Sequence, residues 1–347
     1  MRRIPAVPAL VALSVILASC GQQDMQQTDN QALIIDGSVP AEVQAEMRAW
    51  YAALPRDMIA GVKNPQLMYT AKNGEVYSSK AGVKIRQGRI VKDLQGLSVR
   101  FNDGSQGPAY PVDDFKPSNL NTQGANYTTC NSTDGPYYRS YSSSGYGAIY
   151  TAFTPYAPNF PAPIGSRSWA AYNYLGGQAS NGASEVDAGL VYYDSKLRVF
   201  TRANGVYKEW GVSYLGLGYS HPTQLYVTGS GQLAMSVATP NGGTILANIS
   251  AYGWNTAGTD QYLKRMATVA NGDLAGYYNS SYRYNVQFTS VLGNSQLGTF
   301  SGNTYSYSYW SGSRVFSSAC NWPSTSTVYT ANAPTANSVS VYIDMTN

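Results

Sequence analysis

Ser184-Glu185-Val186-Asp187-Ala188-Gly189-Leu190-Val191-Tyr192 decides the fold. In an extended chain its alternation puts Glu185 and Asp187 on one face and Val186, Ala188 and Leu190 on the other, as in a strand with one face in a core. Similar runs recur on either side: Leu197 to Thr201, Gln224 to Thr228, Leu233 to Ala238, Thr244 to Ser250, Tyr282 to Phe288, Tyr305 to Trp310, Val328 to Tyr329 and Val339 to Met345. Asn204-Gly205, Gly229-Ser230-Gly231, Asn241-Gly242-Gly243 and Asn271-Gly272 separate them as turn signals. Many short strands punctuated this way predict a mainly β chain with an antiparallel β-sandwich over 119–347. No repeat of about 20 to 50 residues argues for a solenoid or propeller.

The 347 residues leave room for a second, smaller module before the sandwich. Charged residues make up 12% of the chain, about half the share in ordinary globular domains, and 30 tyrosines accompany much Gly, Ser, Thr and Asn. That is the profile of an extracellular β-rich protein. The formal charge of +4 includes Arg2 and Arg3, and nothing forms the dense basic face that nucleic acid requires.

Residues 38–118 read as a small α+β module. Ser38 can cap a helix with Pro40 in its first turn, and Val43, Met47, Trp50 and Leu54 share one face before Pro55 ends it. Asn73-Gly74 predicts a two-residue hairpin turn, and Val83, Ile85, Leu97, Val99 and Phe101 alternate with polar neighbours. Lys63, Lys72, Lys80, Lys84, Arg86, Arg89, Lys92 and Arg100 gather here. They are either the solvated faces of strands or a surface for anionic headgroups or polysaccharide.

Arg2 and Arg3, the apolar run Val7 to Leu17 and the sequence Leu17-Ala18-Ser19-Cys20 together resemble the signal and lipobox of bacterial lipoproteins. The run is shorter than the roughly 20 apolar residues that span a bilayer. The resemblance implies a signal peptide over 1–19, a diacylglyceryl group on the Cys20 sulfur and an acyl chain such as palmitate on the new amino terminus. Two or more such chains anchor a protein stably. Polar residues follow, so 20–37 reads as a flexible tether. Gly21, where some lipoproteins carry an inner-membrane-retaining aspartate, favours the outer membrane or cell surface.

Motifs for chemistry are few. There is no G-x-S-x-G, P-loop, dinucleotide fingerprint or EF-hand loop, so no cofactor or metal is implied. His221, the only histidine, precedes Pro222 and reads as a turn or hydrogen-bonded surface residue. Glu185 and Asp187, about 7 Å apart along a strand, either share a proton as acid and base or are polar residues of an outer sheet face.

Val186-Asp187-Ala188-Gly189, with Leu197-Arg198-Val199-Phe200, Glu209-Trp210 and the runs from Leu225 to Ile249, is similar to the concanavalin-like sandwich of glutamic and neprosin-type peptidases. The resemblance covers about 165–275. It implies the fold more than the activity, and as the alternative function a secreted hydrolase using Asp187 with Glu185 or another acid. The chain departs from the family pattern at both catalytic places. Asp187 stands where Gln or Glu is expected, and the later strand, Tyr262 to Val269, offers Lys264-Arg265 instead of a glutamate. Glu209 comes too early for that strand, and Asp260 or Asp273 would have to substitute from a loop.

Tyr305, Tyr307 and Tyr309, with Trp310 beside them, form an alternating aromatic row for stacking on sugar rings or a protein surface, or else a core-facing row. The leading expectation is therefore a lipid-anchored envelope protein. Its sandwich would bind an envelope or surface-layer protein or polysaccharide, with the hydrolase as alternative. With Cys20 lipidated, Cys130 and Cys320 remain as a pair in an oxidising compartment. A disulfide between them would contribute about 5 kcal/mol in the chain-entropy model. A non-reducing peptide map should recover the two cysteines in one linked species; two free thiols would refute the bridge.

Overall fold

The computed structural model describes residues 33–93, 96–111, 137–160, 168–270, 286–311, 314–318, 327–330 and 337–344. Cys20, Cys130, Cys320, Asp273, Tyr282 and Tyr284 lie outside them. The chain is mainly β, a sandwich of two sheets with a helical layer on one outer face.

Two helices, α1 (Ala41–Ala52) and α2 (Arg56–Ile59), come first. The strands that follow are β1 (Pro65–Thr70), β2 (Val76–Ser78), β3 (Ile85–Asp93), β4 (Gly96–Phe101), β5 (Gln106–Ala109), β6 (Tyr137–Tyr141) and β7 (Ala148–Pro155). Next come β8 (Ala170–Ala179), β9 (Ser184–Tyr193), β10 (Lys196–Ala203), β11 (Val206–Gly211), β12 (His221–Gly229), β13 (Gln232–Ala238) and β14 (Thr244–Ser250). The last are β15 (Gln261–Ala270), β16 (Gln287–Ser301), β17 (Thr304–Tyr309), β18 (Arg314–Ser318), β19 (Thr327–Thr330) and β20 (Val339–Asp344). One sheet runs β19-β20-β16-β7-β12-β13-β14-β1-β2, with β17 also on β16; the other runs β18-β6-β15-β8-β9-β10-β11-β3-β4-β5. Apart from the parallel β1–β14 pair, the pairings are antiparallel.

Period-two alternation sorts each strand between two buried layers. Leu225 and Val227 of β12, Met235 of β13, Ile245 and Ala247 of β14, and Val186, Ala188 and Leu190 of β9 fill the core between the sheets. On the far side of the first sheet, Leu67, Tyr226, Ala234 and Leu246 pack against Val43 and Met47 of α1 and Met58 of α2. The helix starts one residue after Pro40 with no side-chain cap, because Ser38 donates its backbone N–H and its hydroxyl to Asp36. The expected face is right for Val43, Met47 and Leu54, whereas Trp50 is only half-buried.

The described residues from 33 onward form one compact unit, and residues 38–111 of the segment expected as a separate module, 38–118, are built into both sheets. β1 pairs with β14, and β3 pairs with β11. The reason is edge chemistry, since unpaired backbone groups at a sheet edge are satisfied when another strand pairs there, as β1 does on β14 and β3 on β11. The expected two-residue hairpin is wider: Ala71 N–H donates to Glu75 O, and Gly74 closes the turn at φ +85°. The expected tether is likewise attached before its end, since Leu33 is buried among the helices and its carbonyl accepts from Arg48.

Met47, with no exposure, sits where the helical layer meets the first sheet. Met47→Ala should lower the unfolding free energy in urea by about 2–5 kcal/mol; no loss would mean that this layer is not packed as described.

Candidate functional site

Among the described residues, Asp187, Glu185 and Glu209 pair with Lys264, Arg202, Arg86 and Arg198 on the outer face of the second sheet. A single row of paired positions crosses it: Lys264 on β15, Gly176 on β8, Asp187 on β9 and Arg202 on β10. Gly176 has no side chain, so Lys264 reaches across it and brings its Nζ to 2.8 Å from Asp187 Oδ1. The contact is electrostatic rather than an aligned hydrogen bond. A Cβ at 176 would stand 2.6 Å from that same oxygen and 2.2 Å from the Val186 carbonyl oxygen, so the position requires glycine.

Arg202 approaches from the other side. Its Nη1 is 3.1 Å from Asp187 Oδ2 and its Nη2 is 2.5 Å from Glu185 Oε2. Tyr110 donates its hydroxyl to Asp187 Oδ2 at 2.6 Å, and Gln178 donates to Glu185 Oε1 at 2.9 Å. Tyr110 follows β5, and its ring packs edge-on against Tyr172 and Tyr207, closing the site. Asp187 and Lys264 are each 0% exposed.

Glu185 and Asp187 thus share a face, as the alternation predicts. They do not share a proton, because the guanidinium of Arg202 lies between them. Both acids lie on the outer sheet face, and Asp187 is buried there beneath Tyr110. Lys264 and Arg265, adjacent in sequence, part company: Lys264 joins Asp187, while Arg265 points into the inter-sheet core over the Trp310 ring.

A third carboxylate, Glu209 on β11, lies on the same face and is 1% exposed. It accepts from Tyr193 Oη at 2.5 Å and Tyr207 Oη at 3.1 Å, with Arg86 at 3.4 Å and Arg198 at 3.8 Å. Burial raises its carboxyl, against the pull of those tyrosines and arginines. In the sequence it stands too early to serve as the glutamate of the later strand. The available signal was the Asn204-Gly205 turn, from which register counting sets Phe200 opposite Glu209. A cleft opens beside it.

Of the expected aromatic row, Tyr305 is buried and donates to the Val227 carbonyl, and Tyr307 packs with it in the helix-side layer. Trp310 points the other way into the inter-sheet core and donates to Ser140 Oγ. Tyr309 alone of the four is exposed, while Tyr305 and Tyr307 face the helix-side layer with Met58 of α2 and Tyr226 of β12. His221 is neither at a turn nor on the surface. It begins β12 fully buried, its ring nitrogens 2.8 Å from Gly216 O and 3.3 Å from Ala238 O. Among the described residues no three His, Cys, Asp or Glu side chains converge as metal ligands do.

No protein-family model matches the chain, and no curated protein matches it in sequence. Among solved structures it is similar to scytalido-glutamic peptidase with a transition state analogue inhibitor, at 10% identity over 60% of this chain and 98% of that one, with a TM-score of 0.40. It is also similar to SCP-B, a member of the eqolisin family of peptidases in a complex with the tripeptide Ala-Ile-His, at 8% identity with the same coverage and a TM-score of 0.38. Both are faint likenesses.

Burial pushes the Asp187 carboxyl up to about 6, against the pull of Arg202, and pushes the Lys264 ammonium down to about 7. The folded chain therefore holds the Asp187 proton more tightly than the unfolded chain does. Stability from this group is fully present below about pH 4 and is lost as pH rises to about 6. Between those limits the wild type should lose up to about 3 kcal/mol more unfolding free energy than Asp187→Asn. Equal losses by urea titration would show that Asp187 does not ionise in that window.

Proposed function

We propose that this chain is a lipid-anchored cell-envelope protein whose β-sandwich binds an envelope or surface-layer protein or polysaccharide. The amino-terminal pattern ending at Cys20 supports the anchor. The observation that favours binding over hydrolysis is the state of Asp187: unexposed, in contact with two cations and covered by a tyrosine. A general acid or base must come within hydrogen-bond reach of its substrate, and Asp187 already has its oxygens committed to Lys264, Arg202 and Tyr110. That is the arrangement of a carboxylate that holds strands together.

One observation favours the hydrolytic alternative. Strongly perturbed carboxyls cluster at functional sites, and Asp187, raised to about 6, is such a group. In that reading Asp187 acts with Glu185 or another acid, once Tyr110 moves aside.

Fractionation and activity measurements decide between them. The native chain should partition with membranes and carry lipid mass on its Cys20 peptide, and Cys20→Ala should release the mature protein or strand its precursor. A native chain without lipid mass and with unchanged fractionation in the variant would overturn the anchor. Incubation with a denatured protein substrate at acid pH should give no cleavage. Cleavage abolished by Asp187→Asn would establish the hydrolase instead.

A further inference from the structure

We propose that the cleft beside Glu209 binds an acidic sugar unit, a uronic-acid residue of an anionic polysaccharide. The inference rests on the binding function proposed above and names its ligand class. The cleft has a volume of about 460 Å³, within the range of about 300–1,000 Å³ usual for small-molecule sites.

Its form follows from strand register. β11 lies between β10 and β3, with Arg198 paired to Gly211, Glu209 to Arg86 and Trp210 to Ile85. Lys84 and Arg86 therefore border the cleft from one side, and Lys196 and Arg198 from the other. Gly211 makes the hollow between them, since a Cβ there would meet nothing within 4 Å.

The two arginines are already oriented. Arg86 donates to Ser105 Oγ at 2.7 Å and lies 3.5 Å over the Phe101 ring. Arg198 donates to the Tyr193 carbonyl at 2.7 Å and lies 3.8 Å over the Tyr193 ring. Lys84 and Lys196 are exposed and make no ion pair at contact distance among the described residues, with Lys84 near enough to Asp103 to favour its ionised form, so both ammonium groups are accessible to a ligand.

The lining is not purely basic, and this selects the ligand. Asp103 and Glu209 also face the cleft. Hydrogen bonds from Ser105 hold the Asp103 carboxyl below its ordinary value, so it is an ionised acceptor. A compact anion such as phosphate gains nothing from two carboxylates and is repelled by them. A uronic acid has one carboxylate for the cations and several hydroxyls to donate to Asp103 and the other acceptors. Four cations against two carboxyls leave the excess positive charge that such a ligand needs.

The test is calorimetric titration of the full chain in mild detergent at low salt with trigalacturonate, maltotriose and inorganic phosphate as probes. Trigalacturonate should bind, maltotriose should bind about tenfold more weakly or not at all, and phosphate at equal concentration should not displace the acid sugar. The Lys84→Gln/Lys196→Gln double variant should weaken trigalacturonate by about tenfold or more. Gly211→Val should abolish binding while keeping the native circular dichroism and Tm, because it fills the hollow without a clash. Absence of trigalacturonate binding, native affinity in Gly211→Val, or equal displacement by phosphate would each overturn the proposal. If Cys20-dependent envelope association persists while trigalacturonate fails, the cleft inference falls alone. If the sugar binds a chain that carries no lipid and no envelope association, the proposed function falls and the cleft stands.

Discussion

The Asp187 carboxylate, taken wholly out of water, imposes the constraint on which the second sheet depends. An unpaired charge there would be prohibitive, and removing one partner from a buried pair costs about 3–5 kcal/mol. Lys264 and Arg202 must therefore reach it from the two sides, which requires β15, β8, β9 and β10 in one register and a glycine at 176. A slip of one residue in β15, β9 or β10 would send its charged side chain to the inter-sheet core. The ion group thus specifies register more than it adds stability, and apolar packing supplies the bulk of the folding free energy.

Tyr110 extends that constraint to the segment before the sandwich. Its hydroxyl completes the coordination of Asp187, and its ring joins Tyr172, Tyr207 and Phe101 in the outer aromatic layer. The β3–β5 hairpins are held there by both polar and apolar contacts, with β3 hydrogen-bonded to β11. The cleft bordered by Lys84 and Arg86 exists because of this docking, since neither β3 nor β11 could form it alone.

Much of the fold could be read from alternation. Val186, Ala188 and Leu190 face the core as their spacing requires, and Val43 and Met47 lie on the buried stripe of α1. Asp194 and Ser195 both have positive φ, the backbone of a two-residue hairpin turn, and counting from Tyr193 opposite Lys196 sets Asp187 opposite Arg202. The aromatic row Tyr305, Tyr307 and Tyr309 illustrates the limit. Its alternation is real, but whether a row meets water depends on what lies above it, and here α2 packs over part of it.

The sequence by itself determined the strand-rich class, the two-faced character of each strand and the lipobox-like pattern at Cys20. These are local properties, set by period-two geometry and by short contiguous motifs. Only the tertiary structure decided that Asp187 is buried with Lys264, that Lys264 and Arg265 serve opposite faces, that Glu209 borders a cleft and that residues 38–111 belong to the sandwich. Each of these depends on which strands become neighbours. That choice is made by burial and edge pairing between residues tens to more than a hundred positions apart, such as Tyr110 and Asp187, which no local pattern encodes.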